Sequence, residues 1–308
     1  MEHIAVQNWC AKGHRVIECL TCGYRHLYPL PSAVELEDLY RKRYHREKWQ
    51  FPYDSVDAAF IAKQLSQLSQ NRNHLSIYRQ VNRHLPATAP HTMLDIGGGN
   101  SLLARFFIDQ GWKSLVIESN HDAADYLRRF GVDVIETMFE KVTPDQLGHF
   151  SFINIQFVLE HVLAPFEILQ AVNRLMAPHA LLRVCTPNDF SPGQIAWLAI
   201  TNSDPPWISY PDHVNYFCFS SLTRLLNRAG LVEVARSSTF PLELLLLTGT
   251  DYYTDASVRK HVGPAIKGFE TAWQKSGQTD HLDSFYKKLA QLEMGRSAII
   301  FAKKTCSA

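Results

Sequence analysis

Residues Met93 to Ser101 read Met-Leu-Asp-Ile-Gly-Gly-Gly-Asn-Ser. A short apolar run enters three successive glycines, and a helical pattern starts at once. Glycines make a turn that side chains forbid and let a ligand come close to the backbone. At the carboxyl end of a strand in an open α/β sheet, such a turn cradles a nucleotide. Glu118 follows about twenty residues later at the end of the next apolar run, where a carboxylate can accept both hydroxyls of a ribose. Gly97 and Gly99 fit the first two glycines of the fingerprint G-x-G-x-x-G, but Leu102 stands at the third. That counts against a nicotinamide dinucleotide, while Glu118 serves either kind of cofactor.

A second constellation lies near the start of the chain, as Cys10-x3-His14-x4-Cys19-x2-Cys22-Gly23. Four soft ligands suffice for a closed tetrahedral zinc site. The Cys-x2-Cys-Gly knuckle has ordinary zinc spacing, whereas the first half is irregular, and His3 or His26 could replace His14. The plain alternative is three reduced thiols in a small knot.

These residues need elements to hold them. The chain has 308 residues, 46% apolar and 20% charged, with a formal net charge of +1. This is the balance of a globular chain with a real core, not of a disordered or disulfide-scaffold one. The near-zero charge counts against a nucleic-acid partner. No apolar run is long enough to span a bilayer, no basic and apolar leader is visible, and six cysteines are too few for a secreted framework, so a reducing cytoplasm is the expected compartment. Apolar positions between Asp57 and Leu85 recur at helical spacing. From Thr92 onward short apolar strands alternate with helices: strands at 92–96, 114–118, 132–135, 150–157, 180–186, 231–237 and 297–303, and helices at 101–110, 121–130, 164–176 and 220–229. Ser220 or Ser221 is the expected cap of the last of these helices. The pattern predicts an α/β protein with a doubly wound sheet covered on both faces. The expected organisation is a Cys/His module and linker over 1–50, a main domain over 51–237 plus 297–308, and a helical insertion over 238–296 acting as a lid or a contact between copies of the chain.

In order along the chain, Asp95-Ile96-Gly97-Gly98-Gly99-Asn100, Glu118, Leu159-Glu160-His161-Val162, Thr186-Pro187-Asn188 and the stretch HVNYFCFSSLTRLLNRAG from His213 to Gly230 resemble the class I S-adenosylmethionine-dependent methyltransferases. The likeness is to the small-molecule subgroup that includes the ubiquinone-biosynthesis O-methyltransferases. It covers about residues 91 to 237 and the strand at 297–303. Cys22-Gly23, Pro29, Pro31, Leu39-Tyr40 and Tyr44 also match the module that precedes the methyltransferase domain in many relatives. The resemblance implies a Rossmann-like sheet of seven strands with the last antiparallel. It implies that S-adenosylmethionine lies against Asp95, Gly97, Gly98 and Gly99, with its ribose on Glu118 and Ser119. Asn120, Met138 and Phe139 would lie near the adenine, and Gln156 and Phe157 would close over the methionine end. One subgroup holds a divalent metal through Glu-x-x-Glu-His, but Phe157 stands where the first carboxylate would be.

A sulfonium methyl is already activated, so the protein must mainly position a nucleophile and exclude water. A general base, where one is used, must reach the leaving proton. His213 is the first candidate, because it sits in an aromatic, polar segment between two strands; His161 and Glu160 are the others. Trp197, Trp207, Tyr210, Tyr216, Tyr252 and Tyr253 could wall a substrate pocket, with core packing as the plain alternative. The leading expectation is methyl transfer to oxygen, nitrogen or carbon of a small-molecule acceptor. The alternatives are an RNA methyltransferase docked through its zinc module, a nicotinamide-dependent oxidoreductase, and a fold relative that has lost catalysis.

Overall fold

The computed structural model describes residues 2–40 and 51–305. The mixed-charge run from Arg41 to Lys48, with Tyr44, lies outside them. The described chain opens with a meander of β1 (Ala5–Ala11), β2 (His14–Cys19) and β3 (Arg25–Leu27). Helix α1 (Ala33–Asp38) follows, started by Ser32, whose hydroxyl accepts from the Glu35 amide while Glu35 returns the bond. The helical stretch expected between 57 and 85 is two helices, α2 (Ala58–Leu68) and α3 (Arg72–His84), capped by Asp57 and Asn71.

The main sheet then builds in alternation: β4 (Thr92–Ile96), α4 (Leu103–Asp109), β5 (Lys113–Glu118), α5 (His121–Arg129), β6 (Asp133–Glu136), β7 (Phe150–Gln156), α6 (Pro165–Leu175) and β8 (Met176–Pro187). After β8 come α7 (Pro192–Thr201), β9 (Asn215–Tyr216), α8 (Phe219–Arg228) and β10 (Leu231–Ser237). The insertion holds α9 (Glu243–Leu247), α10 (Ala256–Lys275) and α11 (Thr279–Gln291), and β11 (Ser297–Lys304) closes the sheet. The cap of α8 differs from the expectation. Its N-cap is Cys218, and Ser221, three residues into the turn, accepts from the Cys218 amide at 3.0 Å.

Seven strands run in the order β10-β11-β8-β7-β4-β5-β6. β4 pairs in parallel with both β5 and β7, β7 with β8, and β11 runs antiparallel between β8 and β10. Alternation along each strand sends neighbouring side chains to opposite faces. Leu94, Ile96, Ile153 and Val184 face α6 and α8, while Met93, Val116, Phe152 and Phe301 face α3, α4 and α5. The strand order reverses beside β4, which opens a crevice at the carboxyl ends of β4, β5 and β7.

The N-terminal module is not self-contained. β3 pairs antiparallel with β9, so a second sheet of four strands, β1-β2-β3-β9, takes its last strand from the segment before α8. A third apolar cluster packs Val16 and Leu27 of the module against Phe190, Trp197, Trp207, Tyr216, Leu246 and Tyr252. Four of the aromatics expected at a substrate wall, Trp197, Trp207, Tyr216 and Tyr252, are therefore core, because they glue the module and the insertion to the main sheet. Tyr210 is also engaged with the module, stacked on His14 at 3.8 Å. No helix among the described residues is long and apolar enough to cross a membrane.

Candidate functional site

A cavity of about 450 Å³ fills the crevice. Asp95, Gly97, Gly98, Gly99, Glu118, Ser119, Met138, Phe139, Gln156, Phe157 and His161 all line it. The glycine turn forms this wall for two separate reasons. Gly97 has φ +73°, and a Cβ on it would stand 2.5 Å from Val158. Gly98 has no such backbone demand, but its Cβ would strike Val116 at 2.5 Å and Leu127 at 3.1 Å. The first glycine thus shapes the turn, and the second lets it sit against the core.

Glu118 is tied to the turn it faces. One carboxylate oxygen accepts from the Gly99 amide at 2.8 Å and the other from the Asn120 amide at 2.7 Å. The Ser119 amide is a third donor to this carboxylate, which has about four acceptor sites and so keeps capacity for a hydroxyl. Burial raises its pKa, against the pull of these amide donors. Asn120 is placed differently from the expectation. It does not line the cavity; its side chain caps α5 by accepting from the Ala123 amide at 3.0 Å. Phe157, at the end of β7, adopts φ +54°, a backbone region costly for an aromatic residue and typical of functional sites.

Beneath the turn runs a buried polar chain absent from the expectations. Asn154 Nδ2 donates to Asp95 at 2.6 Å, and Arg183 donates to Asn154 at 2.7 Å and to Gln156 at 2.9 Å. Burial pushes the Asp95 carboxyl up to about 6, while Asn154 and Arg183 pull the other way. Arg183 is 5% exposed. Its signal in the sequence is a charge in the middle of an otherwise apolar strand, which a core tolerates only when it is answered.

The three candidate bases are not equivalent. His161 lines the cavity, whereas Glu160 and His213 do not. His161 Nδ1 lies 2.7 Å from the Asp212 carbonyl and 2.7 Å from the Tyr40 hydroxyl, which donates to the same carbonyl. Nδ1 therefore carries the proton and Nε2 the lone pair. Burial holds the imidazole below the usual histidine range, against the Asp212 carbonyl, so it is neutral at pH 7. His213 stands behind it, ring to ring at 5.0 Å. Glu160 is 1% exposed, and neither carboxylate oxygen has a hydrogen-bond partner among the described residues. Burial raises its pKa well above the usual range, so it is held as the neutral acid. Asn215 fixes this corner, donating to the carbonyls of Leu159 at 2.9 Å and Val162 at 2.6 Å. α1 roofs the cavity with Ala33, Leu36 and Glu37, and Lys141 on the rim meets Glu37 at 2.7 Å. No residue of the 238–296 insertion lines it.

The metal constellation is regrouped. Cys19 and Cys22 come together with His3 and His26, with one ligand atom from each within 4.8 Å of the others. His3 Nδ1 lies 3.6 Å from the Cys19 sulfur and 3.4 Å from the Cys22 sulfur. His26 contacts its Leu27 carbonyl through Nδ1 at 2.7 Å, and its Nε2 is buried without a partner among the described residues. That orphaned nitrogen beside two thiols fits a tetrahedral zinc. Cys10 and His14 are elsewhere. In the β1–β2 ladder Cys10 pairs with Arg15 and Ala11 with His14, at the hairpin tip, whereas Cys19 pairs with Ala5 at its far end. At about 3.3 Å per residue the two ends stand roughly 16 Å apart.

Comparison with known proteins places this geometry. A family model described as a methyltransferase domain matches residues 58–235, more than half of the chain. Among solved structures, the magnesium protoporphyrin IX methyltransferase of Synechocystis PCC 6803, crystallised with bound SAH, is 10% identical with a TM-score of 0.50, over 88% of this chain and 99% of that one. A 1,6-didemethyltoxoflavin-N1-methyltransferase from Burkholderia thailandensis is 12% identical with a TM-score of 0.49, over 99% and 100%. A SAM-dependent methyltransferase from Archaeoglobus fulgidus is 16% identical with a TM-score of 0.46, over 80% and 100%. No curated protein matches the sequence. The nicotinamide alternative falls with the family match, and the misfit of Leu102 is explained: it is a buried core residue at the start of α4. The chain belongs to the methyltransferase-domain family and is an S-adenosylmethionine-dependent methyltransferase.

Proposed function

We propose that the protein methylates an oxygen, nitrogen or carbon of a small molecule bound beneath α1, with His161 as the base where the acceptor must lose a proton. One observation supports this most directly. A single cavity joins the glycine turn and Glu118 at one end to His161 at the other, and α1 roofs it. S-adenosylmethionine supplies an activated methyl group when bound. Glu118 offers acceptors for ribose hydroxyls, Asp95 offers a carboxylate for an ammonium, and the bare backbone of Gly97 permits close approach. Phe157 and Met138 exclude water from the walls. His161, neutral and with its tautomer set by the Asp212 carbonyl, accepts the proton at Nε2. His213, first in the sequence reading, becomes a support for that ring. The relative in Synechocystis is named for methylating a porphyrin, an acceptor of the small-molecule class.

The test is turnover of methyl-labelled donor against a panel of hydroxyl, amine and activated-carbon acceptors, with His161→Gln beside the wild type. For a hydroxyl acceptor the variant should lose about 10²–10⁴-fold in kcat. Because burial lowers the His161 pKa, protonation begins only below the ordinary value near 6.5. The rate should hold as pH falls through that value and drop further down. Unchanged kcat in His161→Gln refutes the base assignment, and an absence of labelled product with every acceptor refutes the small-molecule reading.

We further propose that His3, Cys19, Cys22 and His26 hold a structural zinc. Metal analysis of the purified chain should find about one zinc per protein. Cys22→Ser should lose it, and Cys10→Ser should keep it.

A further inference from the structure

The C-terminal end of α3, strand β10 and the last turns of α11 line a second, open cavity of about 350 Å³. It shares no lining residue with the first, and its strand β10 is the sheet edge, separated from β4 by β11, β8 and β7. Gln80, Arg83, His84, Glu233, Arg236 and Lys287 line it.

Its charges do not balance. Arg236 and Glu233 answer each other at 2.5 and 2.7 Å, and Thr223 donates to the same carboxylate at 2.9 Å. Arg79 nearby is taken by Asp280 at 3.1 Å and Asp283 at 3.3 Å. Arg83 and Lys287 have no ion pair among the described residues. Lys303 adds a third cation at the edge, its Nζ donating to the His84 carbonyl at 2.6 Å. The groups inside register this excess. His84 is held below the usual histidine range by burial and then by Lys303, Arg83 and Lys287. Burial and then Arg83 hold Lys287 below the usual lysine range, against Asp283.

An independent observation comes from Gln80. It is 7% exposed and lines the cavity, and its side-chain amide forms no hydrogen bond with any described residue. The amide is open to the cavity, where it can donate to a ligand. One kind of ligand answers both the surplus cations and the amide donor: a compact oxyanion carrying more than one charge.

We propose that this cavity binds a phosphate dianion, free or as the phosphomonoester of a small molecule, with Arg83 and Lys287 supplying the charge and Gln80 a neutral donor. The guanidinium fork matches two phosphate oxygens, and the ammonium acts as a point charge on a third. A monocarboxylate carries half the charge and lacks the third oxygen.

The experiment follows the His84 imidazole of the full-length protein by NMR, at fixed ionic strength set with chloride. Inorganic phosphate, glycerol phosphate and acetate are added in separate arms. Either phosphate should raise the His84 pKa by about one unit as it offsets the neighbouring cations, and acetate should do much less. Arg83→Gln with Lys287→Gln should weaken the response about tenfold, while adenosylhomocysteine binding stays as in wild type. Lys260→Gln, at an exposed cation on α10, should change nothing. Gln80→Leu removes only the amide and should also weaken the response, which keeps the test open if the double variant fails to fold. A stronger response to glycerol phosphate assigns the site to organic phosphates, and a stronger response to inorganic phosphate assigns it to the free ion. A phosphate response no larger than that to chloride, or one that survives in the folded double variant, overturns the proposal.

Discussion

Asp95 sits under the glycine turn with its carboxyl pushed up to about 6, because burial costs the charged form more than Asn154 and Arg183 return. A ligand ammonium placed beside it reverses that balance. Near pH 6 the free protein carries a substantial fraction of a proton on Asp95, and binding adenosylhomocysteine should expel it. Calorimetry in buffers of different ionisation enthalpy should therefore report proton release near pH 6 that fades toward pH 8. Asp95→Asn should abolish the release and weaken binding by about tenfold or more, since each pKa unit of interaction is about 1.4 kcal/mol. Buffer-independent heats at pH 6 would remove Asp95 from the site. Arg183 acts on the same atoms from behind. Arg183→Met leaves the Asn154 and Gln156 oxygens unanswered and Asp95 without its nearest positive charge. A buried charge stripped of its partner costs about 3–5 kcal/mol, so urea unfolding should show a loss of that order. A loss below about 1 kcal/mol would mean that water or rearrangement satisfies the chain.

At the scale of elements, α3 carries a half-buried histidine whose cost depends on pH. His74 packs at 5.5 Å from Phe106, and its Nδ1 is buried without a partner among the described residues. Burial, then Arg183, pushes its pKa down to about 4. The unfolded chain binds a proton near pH 6.5, and the folded chain resists until about pH 4. The unfolded state thus holds more protons in that window, so stability falls as pH drops through it. Relative to His74→Leu, the wild type should lose about 3 kcal/mol between pH 7 and pH 4 in denaturant unfolding. Parallel pH profiles for the two proteins would refute this. α3 itself was legible in the sequence, as were the strands around the crevice: β4 falls on the expected 92–96 and β10 on 231–237. Both lie between clear breakers; the apolar run of β4 is buried, while β10, with Val232 and Val234 exposed at the sheet edge, was marked by its β-branched residues. β1 and β9 were not legible. β1 is mostly exposed on both faces, and β9 is two residues long, so neither carries a period. What makes them strands is a partner distant in sequence. The site divides in the same way. The glycine turn and Glu118 could be read locally, whereas the place of His161 on the cavity wall depends on Tyr40 and Asp212, brought together only by folding.

For the molecule as a whole, the N-terminal module is wired to the His161 corner of the cavity through a backbone ladder. His26, in the proposed zinc site, pairs directly with Asn215 where β3 meets β9. Leu27 donates its amide to the Val214 carbonyl at 2.8 Å. Asn215 in turn holds the Leu159 and Val162 carbonyls that bracket Glu160 and His161, and the amides of Val214 and Asn215 both reach the Glu160 carbonyl. The path from metal ligand to cavity is thus a strand pair followed by a pinned turn. Removing zinc should release His26 and Cys19, loosen β3 from β9, and so disorder the imidazole across the ladder. A chelator should lower the melting temperature and lower kcat, and restoring zinc should recover both. Asn215→Leu should reproduce the fall in kcat with zinc still bound, because it cuts the path after the metal. Its melting temperature should fall less than that of the chelated protein. If the chelated protein loses its zinc and melts earlier yet turns over at the wild-type rate, the module stabilises the fold and the ladder does not carry that order to His161.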